Sequence, residues 1–218
     1  MYKASNTIEA PVEGFEIEAV TVEFTQLDGA SIRIGTDLNG SGIRFTVKLS
    51  EFSDYIDHFG VLVMPVDLMT KGEFTHDNYT VDEDCLQFTA DSSEAKFENY
   101  QDYGEGYYLK ASVTKLYESN YTRTFAGRAF MYVVYADGEE AYIYVDYNAA
   151  KNERRICDVA REALADDGAD FTLEQKKTIL SYTVEDLDTY AYFGPTATSD
   201  YENYKNLAMD VIWLDMIA

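Results

Sequence analysis

Between Phe15 and Tyr147 the hydrophobic positions of the chain recur every second residue. Val20, Val22 and Phe24 alternate with Thr21, Glu23 and Thr25; Ile43, Phe45, Val47 and Leu49 alternate with Arg44, Thr46 and Lys48; Tyr107, Leu109, Ala111 and Val113 alternate with Tyr108, Lys110, Ser112 and Thr114. A side-chain period of two puts one set into a core and the other into water, so each stretch predicts a half-buried strand. Shorter strands are predicted over residues 31–34, 60–66 and 85–89, interrupted by glycine or acidic turns. Gly40-Ser41-Gly42 predicts a turn leading into the Ile43 strand. Phe52, Tyr55, Ile56 and Phe59 fall at helical spacing and predict a short helix over residues 51–58. Residues 90–106 read as a long exposed loop.

The densest apolar alternation lies on either side of Asp137-Gly138, a dipeptide suited to a type I′ turn. Strands over residues 128–136 and 139–147 with a two-residue loop would set Phe130, Tyr132 and Val134 opposite Val145, Ile143 and Ala141 as the core face. The other face would set Met131, Val133 and Tyr135 opposite Tyr144, Tyr142 and Glu140. Both faces are largely apolar. The hairpin is therefore either covered twice or presents an aromatic platform, and burial beneath helices is the simpler expectation for Tyr142 and Tyr144.

After Asn148 the period becomes helical. Ile156, Val159, Ala160, Ala163 and Leu164 form one stripe, ended by Asp167-Gly168. Thr172-Leu173-Glu174-Gln175 has the form of a capping box opening a second helix, with a stripe of Leu173, Leu180, Val184, Leu187 and Ala191. Ser199-Asp200-Tyr201-Glu202 opens a third, in which Trp213 is a packing anchor. Strands followed by helices predict an α+β, mostly β fold: an antiparallel β-sandwich of jelly-roll type with about three C-terminal helices packed on it. The expected organisation is an N-terminal extension (1–14), the sandwich (15–148) and a helical cap (149–218) in the same structural unit.

Composition narrows the function classes. The 218 residues carry 40 acidic and 17 basic side chains, a net charge of −23. Such a surface repels phosphate, so nucleic acid and anionic membrane are not expected partners. No apolar run reaches the roughly 18 residues of a membrane span, and the first residues lack a signal peptide's hydrophobic region. The expectation from these features is a cytosolic chain, or a mature domain without its export signal. Cys85 and Cys157 are the two cysteines and His58 and His76 the two histidines. They are too scattered for a structural zinc site, and the cysteines are open to either a disulfide or reduced burial.

Several motifs along the strands resemble those of a domain recurring in secreted proteins of anaerobic Gram-positive gut bacteria. They are Gly29-Ala30-Ser31-Ile32-Arg33, Ser41-Gly42-Ile43-Arg44-Phe45, residues 60–65, Asn120-Tyr121-Thr122-Arg123-Thr124-Phe125 and Gly127-Arg128-Ala129-Phe130. Asp146-Tyr147-Asn148, Arg155-Ile156 and Val159-Ala160 complete the set, so the resemblance covers roughly residues 29–165. Such domains are accessory modules of large cell-surface or carbohydrate-degrading polypeptides. The resemblance implies export, a secreted or cell-surface location and a non-catalytic role; it names no ligand and carries over no catalytic residue.

The candidate chemistry is aromatic. With 19 tyrosines and 12 phenylalanines, the chain has many rings able to stack on the apolar faces of sugars. Tyr100, Gln101, Asp102, Tyr103 and Tyr107 combine rings, hydrogen-bonding side chains and neighbouring glycines, and form the first candidate ligand site; the competing reading is a solvated loop covering a sheet edge. Tyr135, Tyr142 and Tyr144 form a secondary aromatic face. Calcium is suggested by Asp37-Leu38-Asn39-Gly40-Ser41-Gly42, but Lys48 stands where the loop needs a bidentate carboxylate, so the stretch reads as a turn and no cofactor is expected. Forty acids supply many carboxylate pairs for glycoside hydrolysis without singling one out. Arg33, Arg44, Arg123 and Arg128 are expected to pair locally with acids. The leading expectation is a non-catalytic extracellular module binding a polysaccharide or glycan through tyrosines. The alternative is a structural or protein-interaction module, an adhesion or spacer element docking neighbouring domains or a surface protein.

Overall fold

The computed structural model describes residues 4–8, 20–27, 29–79, 85–100, 102–166 and 170–183. Its strands are β1 (Ala4–Ile8), β2 (Val20–Gln26), β3 (Ser31–Arg33), β4 (Gly42–Leu49), β5 (Ile56–Pro65), β6 (Leu86–Ala90) and β7 (Lys96–Tyr100). They continue with β8 (Gly104–Thr114), β9 (Thr124–Val134), β10 (Glu140–Tyr144) and β11 (Glu153–Arg155). The helices are α1 (Ala149–Asn152), α2 (Ile156–Ala165) and α3 (Leu173–Leu180), with one-turn 3-10 helices at Val66–Leu68 and Glu118–Asn120. One sheet runs in the order β1-β2-β4-β8-β7, with β3 beside the first residues of β4, and the second includes β10-β9-β5-β6. The pairings β1–β2, β2–β4, β3–β4, β7–β8, β5–β6, β5–β9 and β9–β10 are antiparallel. The fold is mostly β, as the alternation predicts.

The chain divides into two compact units, and the first comprises Met1–Ala30, Phe45–Ala111 and Phe125–Glu153. Within it, rings from both sheets meet. Phe59 of β5 takes Phe24 of β2 edge-on at 6.3 Å and Phe52 at 5.7 Å, and Phe52 meets Tyr107 at 4.9 Å. At Gly127 of β9 a Cβ would lie 2.5 Å from the Phe45 ring, so only glycine admits that ring. The Gln26 amide donates to the Gly127 carbonyl at 2.9 Å and accepts from the Ala129 N–H at 2.8 Å. On the opposite face of the second sheet a second core forms. There Leu62, Met64, Ala126 and Phe130 are covered by Phe74 and Tyr79 from the segment that follows β5.

The second unit comprises Ser31–Arg44, Ser112–Thr124 and Arg154–Ala218. Helix α2 buries Ile156, Cys157, Val159, Ala160 and Leu164, nearly the stripe expected, and contacts α3 and β3. Thr172 and Gln175 form the expected capping box. Tyr182 is fully buried, its ring against Tyr121 at 4.9 Å and its hydroxyl donating to the Leu38 carbonyl at 3.0 Å. The stretch Asp37-Leu38-Asn39-Gly40-Ser41-Gly42 is a turn: the Asp37 carboxylate accepts from the Gly40 N–H at 2.8 Å, and the Asp37 carbonyl accepts from the Ser41 hydroxyl at 2.7 Å. Val184, Leu187, Ala191, the third expected helix and Trp213 lie outside the described residues.

Three local expectations are corrected. Residues 51–58 are not helical: they enter through a turn and become β5 at Ile56. Positions 52 and 59 would share a side of a helix but not of a regular strand, and pairing with both β6 and β9 makes the chain from Ile56 a strand. Most of residues 90–106 is not loop but the β7–β8 hairpin. The β9–β10 register differs by one residue, with Val134 opposite Glu140, Tyr132 opposite Tyr142 and Phe130 opposite Tyr144. The loop has three residues instead of two: the Tyr135 N–H donates to the Glu139 carbonyl, the Gly138 N–H donates to the Tyr135 carbonyl, and Gly138 has φ of +85°. This is a type I turn with a glycine bulge, which Asp-Gly also suits. A slip turns over β10, which is apolar or aromatic at every position from Ala141 to Tyr144, so hydrophobic pattern alone does not fix the register.

Candidate functional site

The first candidate set is divided by the pleat. Phe97 pairs with Tyr107, and Tyr100 lies three residues further along β7, so Tyr100 and Tyr107 occupy opposite faces. Tyr107 points toward the inter-sheet rings, between Phe52 at 4.9 Å and Phe97 at 5.3 Å. Tyr100 packs edge-on against Tyr108 at 4.7 Å, lies beneath the Lys110 ammonium at 5.0 Å and donates its hydroxyl to Glu98 at 2.7 Å. Hydrogen bonds from Lys110 and Tyr100 hold the Glu98 carboxyl below its usual range. Tyr103 and Asp102 are exposed at the hairpin tip, where the Lys48 ammonium donates to the Tyr103 carbonyl. Gln101 lies outside the described residues.

The secondary set is divided too. Tyr135 sits one residue beyond β9 in the turn, out of phase with Tyr132, whereas Tyr142 and Tyr144 belong to a continuous group of rings. The revised register builds that group. Tyr132 and Tyr142 are directly opposed and lie 4.8 Å apart, tilted by 48°. His58 of β5, opposite Tyr132 on its other side, stacks on it at 5.1 Å. His76, carried by the segment after β5, stacks on Tyr142 at 3.9 Å and 19°. Phe130 supports the row from below, meeting His76 at 4.4 Å and Tyr142 at 5.6 Å.

Two groups fix His76 in place. The Tyr144 hydroxyl accepts from the His76 backbone N–H at 2.9 Å and reaches its Nδ1 at 2.7 Å. Since that hydroxyl proton is free for Nδ1, the bond suits a neutral imidazole. Burial holds the His76 pKa below its usual value, against a weaker upward pull from Gln87. Beneath it, the buried Arg128 guanidinium lies 4.8 Å over the Tyr144 ring. Its Nε donates to the Val145 carbonyl at 3.0 Å, and its Nη1 to the Phe74 carbonyl at 3.0 Å and the Glu73 carboxylate at 2.8 Å. Arg128 thus ties the segment bearing Phe74 and His76 to β9. The expectation of local ion pairing holds for this arginine, but most of its partners are backbone carbonyls.

Carboxylates rim the row. The Tyr132 hydroxyl donates to Glu140, which pushes the tyrosine pKa up to about 12. Asp57 accepts from or pairs with His58 Nδ1 at 2.8 Å. Tyr142 keeps 39% of its surface exposed, so it is not covered as expected, while Tyr144 is half-buried. The sequence reading missed His58, His76, Tyr132 and Glu140. The first three are ring residues with no motif, and only the correct register brings them together.

Among the described residues no group of His, Cys, Asp or Glu side chains could hold a metal ion, and no helix is long and apolar enough to cross a membrane. Cys85 and Cys157 are buried free thiols, and burial raises the Cys157 pKa. No protein-family model and no curated protein matches the chain.

Proposed function

We propose that this chain is a non-catalytic, exported module that binds a glycan against the ring of Tyr142, within a β-sandwich of jelly-roll type. The sandwich reading is supported by the contacts of Phe24 with Phe59 and of the Phe45 ring with Gly127. The resemblance to accessory domains of secreted gut-bacterial proteins supports the extracellular location and the multidomain setting. One observation carries the binding site: Tyr142 is 39% exposed while His76, Tyr132 and Phe130 hold its ring on three sides. A ring that is both open and immobilised loses little side-chain freedom when a sugar stacks on it. The Glu140 carboxylate and the Tyr132 hydroxyl beside it supply hydrogen-bond partners for sugar hydroxyls.

Affinity electrophoresis against a panel of soluble polysaccharides tests the reading. The parent should be retarded by at least one polymer and Tyr142→Ala by none, with the paired change Tyr100→Ala and Tyr103→Ala leaving retention intact. A parent that no polymer retards, or a Tyr142→Ala variant retained like the parent, refutes it. A second reading, a protein-interaction module, is favoured by Phe97, which is 60% exposed on the terminal strand β7. A panel without any retention leaves that reading standing.

A further inference from the structure

The proposed glycan site has a charge character that narrows its ligand. Glu140 accepts from the hydroxyl of Tyr132, and Asp57 pairs with the ring of His58, so carboxylates stand at two neighbouring members of the row. An ionised carboxylate accepts at two oxygens with about four lone-pair positions, so each retains acceptor capacity after these bonds. Among the described residues, the cation seen against this group of rings is Arg128, which lies over Tyr144. It is buried and committed to Glu73, Phe74 and Val145, and burial disfavours the protonated form of His76. Burial and then the Glu140 charge raise the Tyr142 pKa, and the hydrogen bond to Glu140, burial and the charges of Glu140 and Asp57 raise that of Tyr132. The chain as a whole carries −23.

Resting on the glycan reading above, we infer that the row of His58, Tyr132, Tyr142 and His76 selects sugars bearing a free protonated amine, such as glucosamine units, over their N-acetylated and uronic acid counterparts. An ammonium placed over the open part of the Tyr142 ring gains from its negative face, and Glu140 or Asp57 can accept a charge-assisted hydrogen bond from it. Acetylation removes the charge and leaves the pyranose ring unchanged. A uronic acid brings its carboxylate against those of Glu140 and Asp57.

The test is calorimetric titration of the chain with a glucosamine tetrasaccharide, its fully N-acetylated counterpart and a tetragalacturonate, near physiological ionic strength, where long-range attraction is screened. The free amine form should bind about tenfold more tightly than the acetylated form, and the uronic acid should not bind. Tyr142→Ala, which leaves every charge in place, should abolish the amine binding. Glu140→Gln should shrink the preference for amine to a few-fold or less. Amine binding that survives Tyr142→Ala is unspecific attraction to an acidic protein and overturns the inference. Tyr142-dependent binding of the acetylated form at equal or greater strength overturns the amine preference and leaves the glycan site in place. If no tetrasaccharide shows Tyr142-dependent binding, the amine inference falls, and the polysaccharide panel then decides the glycan reading by itself.

Discussion

Replacing Arg128 by methionine should be among the most destabilising single changes in the first unit, far more so than neutralising its acidic partner. The guanidinium side chain is 7% exposed, whereas that of Glu73 is 67% exposed. Methionine keeps much of the volume but removes the donors to the Phe74 and Val145 carbonyls, both at 3.0 Å in buried surroundings. Each buried carbonyl left without a partner costs about 1–3 kcal/mol, and the lost contact with the Tyr144 ring adds about 0.5–2 kcal/mol. The cost of burying the charge disappears in the same change and offsets part of this. The net loss is about 2–4 kcal/mol. Glu73→Gln removes an attraction that solvent screens and should cost less than about 1 kcal/mol. Arg128→Lys should recover little, because an ammonium cannot reproduce a planar fork directed at two carbonyls and a carboxylate. Urea unfolding followed by far-ultraviolet circular dichroism gives the stabilities, and amide exchange over residues 71–79 reads the tether itself. An Arg128→Met variant within about 1 kcal/mol of the parent, or a Glu73→Gln variant as unstable as Arg128→Met, would refute this account.

Two further outcomes follow from the same region. The His76 pKa is held below its ordinary 6.5 by burial, so the unfolded chain takes up that proton first. This contribution to stability is therefore complete above pH 6.5 and is lost as the pH falls from there toward the folded-state value. Urea midpoints measured across that window should fall in the parent and stay flatter in His76→Gln; the lowered pKa values of Asp91 and Glu98 act only in the lower, carboxylate range. At the hairpin tip, Gly138 has φ of +85° and open space around its Cβ position. Gly138→Ala should cost about 1 kcal/mol from backbone conformation alone, and Gly138→Asn less; equal unfolding midpoints for alanine and glycine would show that the bulge does not need the left-handed conformation.

Much of the fold was legible because its signals are local. Ile43, Phe45, Val47 and Leu49 are all fully buried, as their alternation requires, and the Thr172 capping box lies where its sequence signature put it. Strand β7 was illegible because Lys96, Glu98 and Asn99 leave no apolar alternation on a terminal strand whose Phe97 is itself exposed. The segment that carries His76 was illegible for a different reason: its position depends on Arg128, whose partners are 54 and 55 residues away along the chain.

The site depends most on the one feature that hydrophobic pattern cannot supply. In the two-residue turn that Asp137-Gly138 suggests, Tyr132 would face Ile143 and Tyr142 would face Val133, and no row of rings would exist. The observed register, with Ala136 added to the loop, puts Tyr132 against Tyr142 and places both beside His58 and His76. Apolar or aromatic residues at every position from Ala141 to Tyr144 leave hydrophobic pattern unable to choose between the two registers. What separates them is turn geometry and cross-strand pairing: the bulge at Gly138, and an aromatic pair of the kind worth about 0.2–1 kcal/mol across a sheet. The rings that form the candidate site therefore also help to select the register that assembles it.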